Sequence, residues 1–189
     1  MRIGLLGGTF NPIHNVHIAL AEGAMKDLAL EKVIFIPAHI PPHKTPDKLI
    51  DAEDRFKMIE LAIGARQGFQ ILRFEIDSKE RSYSIKTLEY LSGSYPKNTE
   101  FLFLIGADAL AGLNTWKDID KVKRLCRFAV CSRPNFQKEI KDTSIVSFDI
   151  SPDHTSSTDI RKRIRNGRQV TGLVPEAVEE YIKNNNLYK

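Results

Sequence analysis

Six short apolar runs, separated by stretches of helical periodicity, restrict this chain to a narrow set of folds. The runs are RIGLL (2–6), KVIFIP (32–37), FQILRFEI (69–76), EFLFLIG (100–106), RFAVCS (127–132) and SIVSFDI (144–150). Several are unbroken rather than alternating, as expected of strands covered on both faces. Between them, HIALAEGAMKDLAL (17–30) sets Ile18, Leu20, Ala21, Ala24, Met25 and Leu28 on one broad apolar face. DAEDRFKMIELAIGA (51–65) does so with Phe56, Met58, Ile59 and Ile63, and SIKTLEYLSG (84–93) with Ile85, Leu88 and Leu91. TWKDIDKVKRLC (115–126) uses Trp116, Ile119, Val122 and Leu125. This alternation predicts an α/β fold, a doubly wound parallel sheet with helices on both faces. Such sheets bind ligands beyond the C-terminal ends of their strands, where the strand order reverses. The first run ends at Gly7-Gly8 and the fourth at IGAD (105–108), so these two turns are expected to be neighbours.

A chain of 189 residues with 42% apolar content is expected to form one domain spanning 1–189. Its last part, 151–189, reads as a helical portion. SSTDIRKRIRNG (156–167) has Ser156 and Asp159 at capping-box spacing and Gly167 as a stop. VPEAVEEYIKNNNLYK (174–189) places Pro175 at a first helical position, with Val178, Tyr181 and Ile182 on one face. PAHIPPHKTPDK (37–48), with four prolines, reads as a stiff surface loop. There is no internal repeat and no low-complexity linker.

Charge and cysteine content narrow the class further. Twenty-eight basic and 24 acidic residues fit anionic ligands but are too balanced to imply nucleic acid. On a helix, the basic residues of RKRIR (161–165) spread around the cylinder, and no aromatics interleave them. Cys126 and Cys131 lie in or beside an apolar run without a second C-x-x-C pair, as buried thiols of a reducing compartment would. MRIGLLGG is too short for a signal peptide core, and no apolar run approaches about 18 residues. A soluble cytoplasmic protein is expected, with no membrane or nucleic-acid partner.

GGTFNPIHNVH (7–17) is the most unusual turn. It lacks the G-K-[ST] of a Walker loop and the G-x-G-x-x-G of a dinucleotide fingerprint. A strand, a glycine turn and a helix start nevertheless remain. Gly7 and Gly8 let the backbone approach a phosphate closely, and the N–H groups around Thr9 and Phe10 would hold it. Pro12 fixes the chain before the helix. His14 and His17, three apart on a first helical turn, face the same way and would donate to phosphate oxygens. Taken alone, the pair is equally consistent with two structural histidines.

GGTFNPIHNVH resembles the H-x-G-H loop of the nucleotidyltransferase superfamily, and SSTDIR (156–161) resembles its I-S-S-T-x-I-R signature about 140 residues on. IPPHK (40–44), SYSIKTL (82–88), IGAD, NTW (114–116) and LVPEAVEEYIKNNNLY (173–188) narrow the resemblance to bacterial nicotinate-nucleotide adenylyltransferases. The departures are Val16 for the motif glycine, Asn11 for aspartate, Ser84 for threonine, Lys117 for tyrosine, and Asp153-His154 before the serines. The resemblance implies a Rossmann-like fold. It also implies transfer of adenylyl from ATP to nicotinate mononucleotide, with release of pyrophosphate. Its alternatives are another adenylyltransferase of the superfamily, such as one acting on phosphopantetheine, or a nucleotide-binding module without turnover.

The same resemblance distributes roles. Gly7, Gly8, Thr9, Phe10, His14, His17, Ser156, Ser157, Thr158 and Arg161 would hold the ATP phosphates, with His14, His17 and Arg161 catalytic. Gly106, Asp108 and Arg133 would complete the ATP site, Asp108 through a ribose hydroxyl rather than as a metal ligand. Lys44 would close over phosphates. Ser84, Thr87 and Trp116 would take the acceptor's ring, the hydroxyls reading its carboxylate and the indole stacking on it. Mg²⁺ would arrive on the ATP phosphates rather than in a protein cage. A homo-oligomer is left open.

Overall fold

A computed structural model describes residues 1–42, 49–132, 145–149 and 155–189. Its core is one six-stranded sheet. The strands are β1 (Arg2–Gly8), β2 (Lys32–Pro37), β3 (Phe69–Ile71), β4 (Glu100–Gly106), β5 (Arg127–Ser132) and β6 (Ile145–Asp149). All pair in parallel in the order β3-β2-β1-β4-β5-β6. The sequence order therefore reverses between β1 and β4, as in doubly wound nucleotide-binding sheets. β1 pairs with β2 from Ile3 to Gly8, but with β4 only from Arg2 to Leu5. Beyond Leu5 and Phe103 the two central strands part, and the crevice opens there.

The continuous apolar runs follow from burial on both faces. Ile3 and Leu5 point to one face with Ile34, Ile36, Phe101, Phe103 and Ile105. Helices α4 (Ser84–Ser94) and α6 (Ile119–Leu125) cover that face through Ile85, Leu88, Leu91 and Val122. Leu6, Val33, Phe35, Leu102 and Leu104 point to the other. There α1 (Asn15–Asp27), α2 (Ala52–Ile63), α7 (Ser157–Arg165) and α8 (Glu176–Asn184) pack through Ile18, Ile59, Ile160 and Val178. Cys126 and Cys131 are thiols buried on opposite faces of the sheet, and burial pushes the Cys126 thiol up to about 12. No helix among the described residues is long and apolar enough to cross a membrane.

Three elements depart from the expectation. FQILRFEI is not one strand: β3 stops at Ile71, and a short helix α3 (Phe74–Asp77) follows. As an edge strand β3 has one partner, and its last ladder bond is Leu72 N to the Phe35 carbonyl. Phe74 then stacks on Tyr90 of α4, with centroids 4.5 Å apart, which draws the chain off the sheet. Trp116 does not belong to α6. It follows a 3₁₀ turn (Leu113–Thr115), and Asp118 at φ 54° separates it from the helix. Pro175 is the N-cap of α8, with φ −57° and ψ 146°, rather than its first residue. The capping of α7 is as expected, with Asp159 N donating to Ser156 Oγ at 3.1 Å and Gly167 at φ 65°. A second four-residue helix, α5 (Ala107–Leu110), springs from the end of β4.

Leu102 is fully buried in the central strand β4. Leu102→Ala should lower unfolding free energy by about 2–5 kcal/mol in urea titration, from lost transfer energy plus the cavity left behind.

Candidate active site

The turn after β1 is held from the protein side by its own carbonyls. The Gly8 carbonyl accepts from Ala38 N at 2.9 Å, and the Thr9 carbonyl from Arg55 Nη1 at 2.9 Å. Arg161 Nη1 donates to the Asn11 carbonyl at 2.8 Å, and Ser157 Oγ to the Pro12 carbonyl at 2.8 Å. The Tyr188 hydroxyl donates to Asn11 Oδ1 at 2.9 Å. The two signature segments, 140-odd residues apart in the chain, are thus joined directly. Phe10 takes a left-handed backbone (φ 48°), which disfavours a bulky residue, and its ring is buried. That ring explains Gly8: a Cβ there would meet it at 2.9 Å. Gly8 makes room for Phe10.

His14 is not on the first turn of α1 but is its N-cap, with extended backbone, and it is buried. His17 is half-buried rather than solvent-facing. Its ring lies 3.8 Å from that of His14 between centroids and meets Phe10 edge-on at 5.0 Å. The His14 backbone N–H donates to His17 Nδ1 at 3.2 Å. A neutral ring that accepts at Nδ1 carries its proton on Nε2, so His17 presents a donor there. Burial, and then the neighbouring His14, push the His17 pKa well below the usual histidine value.

Ser156 and Ser157 do less through their hydroxyls than expected. Ser156 Oγ caps α7 and donates to Asp159 Oδ2 at 2.6 Å. Ser157 spends its proton on Pro12. What they leave at the start of α7 are the backbone N–H groups of Ser157 and Thr158. Arg161 keeps part of its fork on Asn11 and on Thr158 Oγ1 at 3.2 Å, so it shapes the turn as well as facing it.

A cavity of about 590 Å³ opens at the switch point. Gly7, Gly8 and Thr9 form one end, and Ser84 and Trp116 line it with Phe103 and Glu75. Trp116 is half-buried, edge-on to Phe103 and Phe128 at 5.3 and 5.8 Å, so it serves core and cavity together. Thr87 is not in the wall. Its hydroxyl is buried and donates to Glu75 Oε1 at 2.6 Å, so it cannot read a ligand carboxylate directly. Gly106 ends β4 and caps α5, and Asp108 lies within α5. Lys44, Arg133 and the Asp108 side chain lie outside the described residues.

Arg55 and Glu75 were missed in the sequence. Arg55 is buried and donates to four backbone carbonyls: Thr9, Ala38 (2.5 Å), His39 (2.8 Å) and Ile50 (3.3 Å). It ties the glycine turn to the loop leaving β2. The signal was available, because Arg55 lies three after Ala52 and four before Ile59 on the buried stripe of α2. Glu75 sat in a presumed strand, where its burial was not readable.

The cytidylyltransferase-like family model matches residues 5–163. A "probable nicotinate-nucleotide adenylyltransferase" of Moorella thermoacetica is 39% identical, covering 100% of this chain and 92% of its own length. One of the same name from Clostridium botulinum (strain Loch Maree) is 41% identical over 98% of each chain. Among solved structures, a Plasmodium falciparum nicotinic acid mononucleotide adenylyltransferase complexed with NaAD superposes with a TM-score of 0.80 at 18% identity. It covers 99% of this chain and 97% of that one. The chain belongs to the cytidylyltransferase-like family.

Within that family's fold the departures can be placed. Val16 is buried, so its side chain does not stand in the open crevice. Asn11 is buried and held at both its carbonyls by Arg161 and Tyr188.

Long-range ¹H–¹⁵N spectra should show His17 protonated on Nε2 alone and taking its second proton well below the pH at which an ordinary histidine does. The folded ring resists a proton that the unfolded chain takes near pH 6.5. The His17 contribution to stability is therefore present above about pH 6.5 and is lost as pH falls toward its lower folded value. His17→Gln should flatten that part of the stability profile.

Proposed function

We propose that the protein is a nicotinate-nucleotide adenylyltransferase: it joins ATP to nicotinate mononucleotide, giving nicotinate adenine dinucleotide and pyrophosphate in NAD biosynthesis. One observation carries the reading. Gly7 and Gly8 at the end of β1, Thr9, the Trp116 indole and Ser84 at the start of α4 all line one cavity. That lining suits a mononucleotide, with its 5′-phosphate beside Gly8 and Thr9 and its aromatic ring at Trp116. The full-length similarity to proteins of that name supports the same assignment.

The chemistry asks little of acids or bases. The acceptor phosphate is largely dianionic at pH 7, because its second pKa is about 6. One of its oxygens attacks the α-phosphorus of ATP in line. The new bond is O–Pα, the bond broken joins Pα to the bridging oxygen, and pyrophosphate leaves with the electron pair. Rate then comes from positioning two anions and holding the charge that builds on the α-phosphate. His17 Nε2–H, the turn's N–H groups, the first N–H groups of α7 and Arg161 are the donors for it. Trans peptide geometry aims the N–H groups of Thr9, Phe10 and Ile13 away from the captured carbonyls of Gly8, Thr9 and Pro12.

Magnesium fits as a companion of ATP. Among the described residues, no group of three His, Cys, Asp or Glu could hold a metal ion. The donors gathered at the turn suit phosphate oxygens rather than a cation. When bound, Mg²⁺ would neutralise phosphate charge, with oxygens of ATP and water as its ligands. An ATP-consuming biosynthetic step also fits a cytoplasmic setting.

Pyrophosphate release with ATP, Mg²⁺ and a panel of acceptors tests the assignment. Turnover with nicotinate mononucleotide is expected. Turnover with phosphopantetheine alone would contradict it, and no release with any acceptor would point to a binding module. His17→Ala should lower kcat roughly 10²–10³-fold, as loss of an oxyanion donor does. A thermal melt should show it folded, with a modest loss from the rings it packs against. Arg161→Lys keeps charge but loses the planar fork. It should raise KM for ATP by about tenfold, with KM for the acceptor within twofold. Unchanged ATP affinity in calorimetry would remove Arg161 from the triphosphate site.

A further inference from the structure

We propose that Lys117 selects an acidic acceptor ring over its neutral amide, an inference that rests on the acceptor assignment above. Among the described residues lining the cavity, only Glu75 and Lys117 carry charge. They pull in opposite directions. The Glu75 carboxyl is buried and already accepts the hydroxyls of Thr87 and Ser82. An ionised carboxylate there repels a ring carboxylate and accepts from an amide NH₂, so Glu75 alone turns the cavity toward the amide. Burial raises the Glu75 pKa, which softens that bias, while its two hydroxyl partners work the other way.

Lys117 reverses the bias. It follows Trp116, whose indole lines the same cavity, so a ring lying on Trp116 is within reach of the lysine. Its Nζ lies 4.5 Å from the centroid of the Tyr83 ring, and Tyr83 also lines the cavity. That contact keeps the ammonium, still solvated, beside the cavity wall. The nearby carboxylate that competes for it, Glu80, is already bonded by Lys86 Nζ. A ring carboxylate therefore meets a cation that an amide cannot use. Lys117 is exposed, so its pull is a specificity effect of moderate size and is screened by salt.

The test is kcat/KM for nicotinate and nicotinamide mononucleotides at saturating ATP and Mg²⁺, in wild type, Lys117→Gln, Lys117→Arg and Lys117→Glu. The acid:amide ratio should fall about tenfold in Lys117→Gln, equivalent to about 1.4 kcal/mol. The fall should come from the acid's constant. Lys117→Arg should keep the ratio within about threefold, and Lys117→Glu should lower it further. Raising salt from about 0.05 to 0.5 M should lower the acid's constant in wild type more than in Lys117→Gln. A wild type that prefers the acid, with the ratio unmoved in Lys117→Gln and Lys117→Glu, overturns the role of Lys117 and leaves the acceptor assignment intact. A wild type that does not turn over the acid at all overturns the acceptor assignment and, with it, this one.

Discussion

The carbonyls of Gly8, Thr9, Asn11 and Pro12 are all captured from the interior, by Ala38 N, Arg55, Arg161 and Ser157. A peptide unit has only two polar ends, pointing opposite ways. Fixing the carbonyls of Gly8, Thr9 and Pro12 inward aims the N–H groups of Thr9, Phe10 and Ile13 the other way, while the cis Asn11–Pro12 link has no N–H to aim; the result is an irregular wall suited to an anion. The capturing side chains come from α2 and α7, so the wall exists only when helices from distant parts of the chain have docked. Arg55 is the member with most at stake. It spends its buried guanidinium on four carbonyls in charge-assisted hydrogen bonds. Removing it would leave those carbonyls short of a donor, at about 1–3 kcal/mol for each left unsatisfied.

This arrangement separates two jobs. The sheet supplies the place, because β1 and β4 stop pairing at Leu5 and Phe103 and cannot close the gap above. In the proposed reaction the helices would supply the donors, through first-turn N–H groups and the imidazoles at the head of α1. Burial and His14 push the His17 pKa well down, so in that reaction it would act as a directed neutral donor rather than a fixed charge. A neutral donor interacts less strongly with phosphate charge before the reaction, which leaves more of its effect for the transition state.

Much of this was legible in the sequence, for physical reasons. Unbroken apolar runs such as KVIFIP announce burial on both faces, and Gly7-Gly8 end one of them at the mouth of the cavity. The cap at Ser156 and the stop at Gly167 are local chemistry and fell where expected. What escaped depended on tertiary contacts. Phe74 leaves the strand pattern because it stacks on Tyr90. Thr87 looked like a ligand donor, but a buried Glu75 claims its hydroxyl. His14 looked like a first-turn residue and is instead the cap. Arg55 lay in plain view on the apolar stripe of α2, yet its partners are backbone atoms, which carry no side-chain signature in a sequence. Tyr188, at the end of the chain, reaches Asn11 across 177 residues, beyond any local pattern.

The central claim is that this site works by positioning two phosphates for direct displacement, with no protein group bonded to the adenylyl unit along the way. The stereochemistry at the α-phosphorus tests it most directly. With ATP made chiral at that atom by sulfur substitution, one in-line displacement predicts inversion of configuration in the dinucleotide product, read by ³¹P NMR. Retention would require two successive displacements through an adenylylated side chain and would contradict the account.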